Sequence, residues 1–191
     1  GSLTTLPVEV AAPVAVQGSL VFFTRNEGGA FDLNADGGAA DFHVLHRYDA
    51  DSERIDNATF NGGTTLHVQD GFAGFHVVES DQGQDLNGDG DRADRVFVAL
   101  DLRSDQTRIP GITGAFFVNP SVPLGGESKA FLLTRSEQGV DRNGDGDTND
   151  SVALFYEPRS ERVLDTSVAL PVHSFVQAGP WIGVAVAEWQ Q

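Results

Sequence analysis

The chain has 191 residues, 40% hydrophobic and 21% charged, enough apolar material for one substantial core. Its formal net charge of −16, from 28 acidic residues against 12 lysines and arginines, makes nucleic acid and anionic membrane surfaces poor partners. No apolar run approaches the ~20 residues of a membrane span, so no membrane insertion is expected, and the absence of cysteine removes disulfide and thiolate chemistry. Divalent cations are the favoured partners, because the aspartates cluster instead of spreading over the surface. Gly1-Ser2 at the start and the lack of methionine read as the remnant of a removed tag.

In chain order, residues 3–10 read as a leading strand. A first unit, 12–57, opens with Val14–Val16 and contains FFTRNEGGAFDLNADGGAADFHVLHRYDADSERID from Phe22 to Asp56. A second, 64–109, opens with Thr65–Gln69 and contains FHVVESDQGQDLNGDGDRADRVFVALDLRSDQTRI from Phe75 to Ile109. A third, 113–165, opens with Ala115–Val118 and contains FLLTRSEQGVDRNGDGDTNDSVALFYEPRSERVLD from Phe131 to Asp165. A fourth, 168–191, offers the strands His173–Gln177 and Trp181–Glu188 and ends where its acidic loop would begin.

Each unit holds short segments rich in β-branched and aromatic residues, bounded by turn-formers, such as Val96–Leu100 and Val152–Tyr156. None sustains a 3.6-residue period. Four strands per unit at a spacing of just over fifty residues predict an all-β fold: a β-propeller-like array of four-stranded antiparallel blades, about three and a half repeats long. A β-sandwich with decorated hairpins is the alternative.

Between the second and third strands of each full unit lies a ten-residue loop. The first runs from Asp32 through Asn34 and Asp36 to Asp41. The second holds Asp85, Asn87, Asp89, Asp91 and Asp94, and the third Asp141, Asn143, Asp145, Asp147 and Asp150. An ordinary hairpin needs two to five turn residues, whereas these loops are longer and place oxygen donors at fixed offsets. Calcium takes six to eight oxygens, and short side chains at positions 1, 3 and 5 supply them when a glycine at position 6 lets the backbone curl. An acidic residue precedes each loop, Glu27, Asp81 and Glu137, and joins the candidate ligands. Two to three calcium ions are expected, with the first loop weakest because it has Gly38 in place of Asp91 and Asp147.

The D-x-N-x-D-G start resembles the EF-hand loop. Position 12, however, holds His43, Val96 or Val152 where that loop closes with glutamate, and the flanks are strands. In these respects the loops are similar to those of integrin-type propeller repeats and dockerins. The units as a whole resemble β-propeller blades of secreted bacterial proteins, with a calcium loop inserted in the hairpin. That resemblance implies a calcium-stabilised scaffold or binding module that is not an enzyme, located outside the cell, at its surface or in the periplasm.

Rival readings are a calcium-dependent adhesion or carbohydrate-binding module, taking a protein or glycan ligand, and a fragment of a propeller enzyme whose active site lies elsewhere. Three and a half blades leave sheet edges exposed, so a homodimer or homo-oligomer completing the ring is a further expectation. His43, His46, His67, His76 and His173 recur at no common position and read as surface residues of strands. No serine, histidine or carboxylate falls in a catalytic pattern.

Overall fold

The computed structural model describes residues 10, 14–28, 32–35, 37–38, 43–113, 117–123, 129–137, 139–169, 175–178 and 181–184. The chain is all-β. Its strands are β1 (Val14–Gln17), β2 (Leu20–Arg25), β3 (Val44–Asp49), β4 (Arg54–Gln69), β5 (Phe72–Val78), β6 (Arg95–Asp101) and β7 (Thr107–Arg108). They are followed by β8 (Phe117–Pro123), β9 (Lys129–Ser136), β10 (Ser151–Glu157), β11 (Arg162–Ala169), β12 (Phe175–Ala178) and β13 (Trp181–Val184). A four-residue helix, α1 (Glu79–Gln82), follows β5. All pairings are antiparallel and join strands adjacent in sequence, so each sheet is a meander; among the described residues none closes on itself.

β1 to β7 form one seven-stranded sheet in sequence order, β8 to β11 a second of four strands, and β12 with β13 a third. The sequence separates a first unit ending at 57 from a second starting at 64, but the chain does not turn between them. β4 runs on as a single 16-residue strand whose partner changes from β3, with Val44 opposite Asn61, to β5, with Gly62 opposite Val77. Gly62-Gly63 falls in the gap between the two units as the sequence divides them. Here the register shifts between Gly62 and Leu66, the irregularity that glycines allow inside a strand.

At β4 the seven-stranded sheet folds back on itself. Phe22 of β2 and Leu45 of β3 share one buried cluster with Ala73, Phe75 and Val77 of β5 and Val98 and Leu100 of β6. Strand alternation sends the other side chains of β5 and β6 the opposite way. There Phe72, Phe97 and Ala99 join Phe131 and Leu133 of β9 and Leu154 and Tyr156 of β10. Three leaves therefore stack face to face: β1–β3 with the start of β4, the rest of β4 with β5–β7, and β8–β11. The middle leaf is covered on both faces, which is why β5 and β6 read as nearly unbroken apolar runs.

Close packing between leaves has a sequence cause. Gly74 sits on β5 under the ring of Phe131, where even a methyl group would lie 2.6 Å from Phe131 Cε1. The Phe97 ring meets Phe131 at 5.3 Å and Tyr156 at 5.6 Å, both tilted or edge-on, the arrangement aromatic quadrupoles favour. At the rim Arg47 bridges to Asp105, Arg108 to Glu161, and Arg159 to Asp70, each pair joining neighbouring leaves. Arg159 also lies over the Phe72 ring, 5.9 Å from its centroid.

Two of the histidines expected at the surface are instead buried. His46 is 3% exposed and stacks on Phe23, while His76 is 2% exposed and meets Phe97 edge-on. Both stand on strands buried on both faces, Val44, Leu45 and His46 in succession on β3 and Phe72 through Val77 on β5, a condition that alternation alone does not reveal. His173 lies outside the described residues.

Candidate metal sites in the hairpin loops

The strand ladder fixes how the hairpins correspond. Val44 opens β3, Val96 and Val152 stand second in β6 and β10, and the three pair with Arg25, Val77 and Arg135 on the incoming strands. Two residues after each of these stands a buried glutamate: Glu27, Glu79 and Glu137, at 4%, 0% and 1% exposure. In the second hairpin the sequence assigns this place to Asp81. The structure puts Asp81 on the exposed side of α1, accepting a hydrogen bond from Ser80 Oγ, and Glu79 takes the buried place. The helix lengthens the approach to this loop, so counting back from the glycine lands two residues late. The usable signal was the ladder, counted from Val96.

Each buried glutamate receives the loop's backbone. Glu79 Oε1 accepts from Leu86 N at 2.6 Å and Asn87 N at 3.1 Å, and its Oε2 accepts from Asp94 N at 3.3 Å. Glu137 does the same with Arg142 N at 2.7 Å, Asn143 N at 3.4 Å and Asp150 N at 3.2 Å. Glu27 Oε1 accepts from Leu33 N at 2.6 Å. A carboxylate is costly to bury unless such donors compensate it. Main-chain bonds close the neck of the hairpin, Glu79 N to Asp94 O at 2.9 Å and Glu137 N to Asp150 O at 3.0 Å.

Within the second loop the odd-numbered side chains curl the chain by bonding backbone N–H groups further on. Asp85 accepts from Gly88 N and Gly90 N, Asn87 Oδ1 from Asp89 N, Asp89 from Asp91 N, and Asp91 from Ala93 N. The third loop repeats each step with Asp141, Asn143, Asp145 and Asp147. The bonds to Asn87, Asp89 and Asp91, and to Asn143, Asp145 and Asp147, are Asx turns, and their offset of two residues places alternate side chains on the concave side. Asn87 Nδ2 donates to both Asp89 and Asp94, and Asn143 Nδ2 to both Asp145 and Asp150.

Carboxylate oxygens consequently converge. Those of Glu79, Asp91 and Asp94 lie within 4.8 Å of one another, as do those of Glu137, Asp147 and Asp150, and either group could hold a metal ion. Burial, reinforced by the nearby Asp89 carboxylate, raises the pKa of Asp94 above the usual aspartate value. Asp150 is raised in the same way, with Asp145 as its neighbour. Asp89 and Asp145 move the other way, chiefly because the N–H groups of Asp91 and Asp147 bond to their charged forms.

In the first loop the structure describes Asp32, whose Oδ2 accepts from Gly37 N at 3.0 Å, and Asn34, which is buried. Asp36 and Asp41 lie outside the described residues. Ala35 has φ +61°, a left-handed conformation that Gly88 and Gly144 supply at the same loop position. No protein-family model matches the chain, and no curated protein gives a significant match.

Proposed function

We propose that this chain is a calcium-stabilised segment of a β-propeller, serving as an extracytoplasmic scaffold or binding module. The observation that carries the reading is the pair of carboxylate triads, Glu79 with Asp91 and Asp94 and Glu137 with Asp147 and Asp150, each gathered inside 4.8 Å at the neck of a curled hairpin. Asp85, Asn87 and Asp89, and their counterparts Asp141, Asn143 and Asp145, would complete an oxygen-rich shell of the kind calcium prefers. The Asp32 loop would hold a third, weaker ion. Face-to-face stacking of successive leaves, the middle one covered on both faces, supports a radial array over a two-layer sandwich.

Calcium bound only by the folded chain raises stability by mass action, by about 2.7 kcal/mol at a hundredfold excess over its dissociation constant. Millimolar calcium outside cells would fill sites of modest affinity. Thermal unfolding in calcium and in chelator tests this, with calorimetric titration giving the stoichiometry. The melting temperature is expected to rise with calcium and less with magnesium, and Glu79→Gln and Glu137→Gln should each remove one ion. Superimposable melting curves in calcium and chelator would refute the proposal.

A further inference from the structure

The two interfaces between stacked leaves close differently at their loop ends. Between the first and second leaves the closure is apolar: Val77 is fully buried beside Phe22 and Leu45, and Leu86, second residue of its loop, packs on the same cluster. In the third leaf the position of Val77 is held by Arg135, and the second loop residue is Arg142. Two guanidinium side chains thus stand where aliphatic ones seal the other interface. A cavity of about 210 Å³ opens there, lined by Arg135, Arg142, Asn87, Asp89, Gly111 and Thr113.

Neither arginine is neutralised by a salt bridge among the described residues. The ion pairs found there use Arg47, Arg54, Arg108 and Arg159. Arg135 is half-buried, and Nε of Arg142 is buried with no hydrogen-bond partner. Asp89 lines the cavity but its two oxygens accept from Asp91 N and Asn87 Nδ2 within its own loop, and Asp165 acts on Arg135 only through space, so neither carboxylate forms an ion pair with these guanidiniums. The larger cleft between the first and second leaves, about 460 Å³, differs in this respect, because Arg47 is already bonded there by Asp56 and Asp105.

We propose that the Arg135–Arg142 cavity binds a small oxyanion: a phosphate, sulfate or carboxylate group, free or at the end of a larger ligand. Guanidinium forks match two oxygens of such a group, and the charge-assisted bonds are stronger in a partly buried site. The volume falls below the ~300–1,000 Å³ typical of sites enclosing whole drug-sized ligands, so a single anionic group fits. The negative field of the chain is screened beyond about 8 Å at physiological ionic strength, so the local preference is set by Arg135 and Arg142 against the nearby carboxylates of Asp89 and Asp165. The cavity shares Asn87 and Asp89 with the second hairpin loop, so calcium held there on the proposed function would add positive charge beside it.

The test is a ¹⁵N NMR titration with sodium sulfate and, separately, sodium acetate, at ionic strength held constant with sodium chloride. Saturable shifts at the Gly111 and Thr113 amides and the Arg135 and Arg142 Nε signals are expected from at least one anion. Saturation by sulfate alone assigns a tetrahedral oxyanion, and by acetate alone a carboxylate. Arg135→Gln with Arg142→Gln should weaken binding by about tenfold or more. If glutamine disturbs the interface, Arg135→Val with Arg142→Leu copies the packing of the second leaf and should abolish the shifts in a folded chain. Absence of saturation with both anions, or binding that survives in the double variants, overturns the proposal.

Discussion

Single backbone angles and single buried rings set the most direct expectations. Ala35 holds φ +61° where the other two loops use glycine, and an L-residue there costs roughly 1–2 kcal/mol. Ala35→Gly is expected to stabilise the chain by about 0.5–1 kcal/mol, after the entropy glycine adds to the unfolded state. Urea unfolding should show a higher midpoint at unchanged slope. Acid acts through His46 and His76. Burial, helped by the charges of Arg25 and Arg95 respectively, lowers their pKa values to about 4 and about 3. An unfolded histidine takes its proton near pH 6.5, so these neutral rings contribute their full stability above that pH. The contribution is lost as pH falls from 6.5 through 4 and then 3, at ~1.4 kcal/mol per pKa unit. His46→Leu, which matches Leu154 in the third leaf, should flatten the fall in melting temperature between pH 6.5 and 4.

Leaves hold together where Phe131 presses on Gly74 and Phe97 fills the space beside it. Gly74→Ala forces the ring away and is expected to destabilise by about 1–3 kcal/mol. Phe131→Leu added to it should restore part of the loss, measurable as coupling in a double-mutant cycle. Phe97→Ala should cost about 3–5 kcal/mol. Much of this level was legible in the sequence. Short segments rich in β-branched and aromatic residues marked β5, β6, β9 and β10, and the spacing of aspartates located the hairpins that bring Asp91 near Asp94 and Asp147 near Asp150. Three things were not legible. Gly62-Gly63 carries the composition of a turn but serves as a change of register inside β4. Glu79 hid behind α1, because residues added before a loop shift any count made from the loop itself. His46 and His76 became interior because β3 and β5, already paired at their edges, are also buried on both faces.

For the whole molecule, a net charge of −16 with aspartates clustered in loops would, on the proposed function, tie stability to cations and to pH together. Asp94 and Asp150 hold protons to a higher pH than free aspartates, so on the proposed function a calcium ion would have to displace those protons as the solution is acidified. Calcium affinity in both loops should therefore begin to fall at a higher pH than for ordinary aspartates. Calorimetry in buffers of different ionisation enthalpy would register the released protons. The stack of leaves has its own consequence for dynamics. Contacts run between nearest neighbours, as in a linear array whose units couple only to the next. The leaf of β5 and β6 has a neighbour on either side and opens only when one of them has gone. Its amides, those of Phe75 and Val98 among them, should exchange with solvent deuterium most slowly in the chain, with protection approaching the global unfolding free energy.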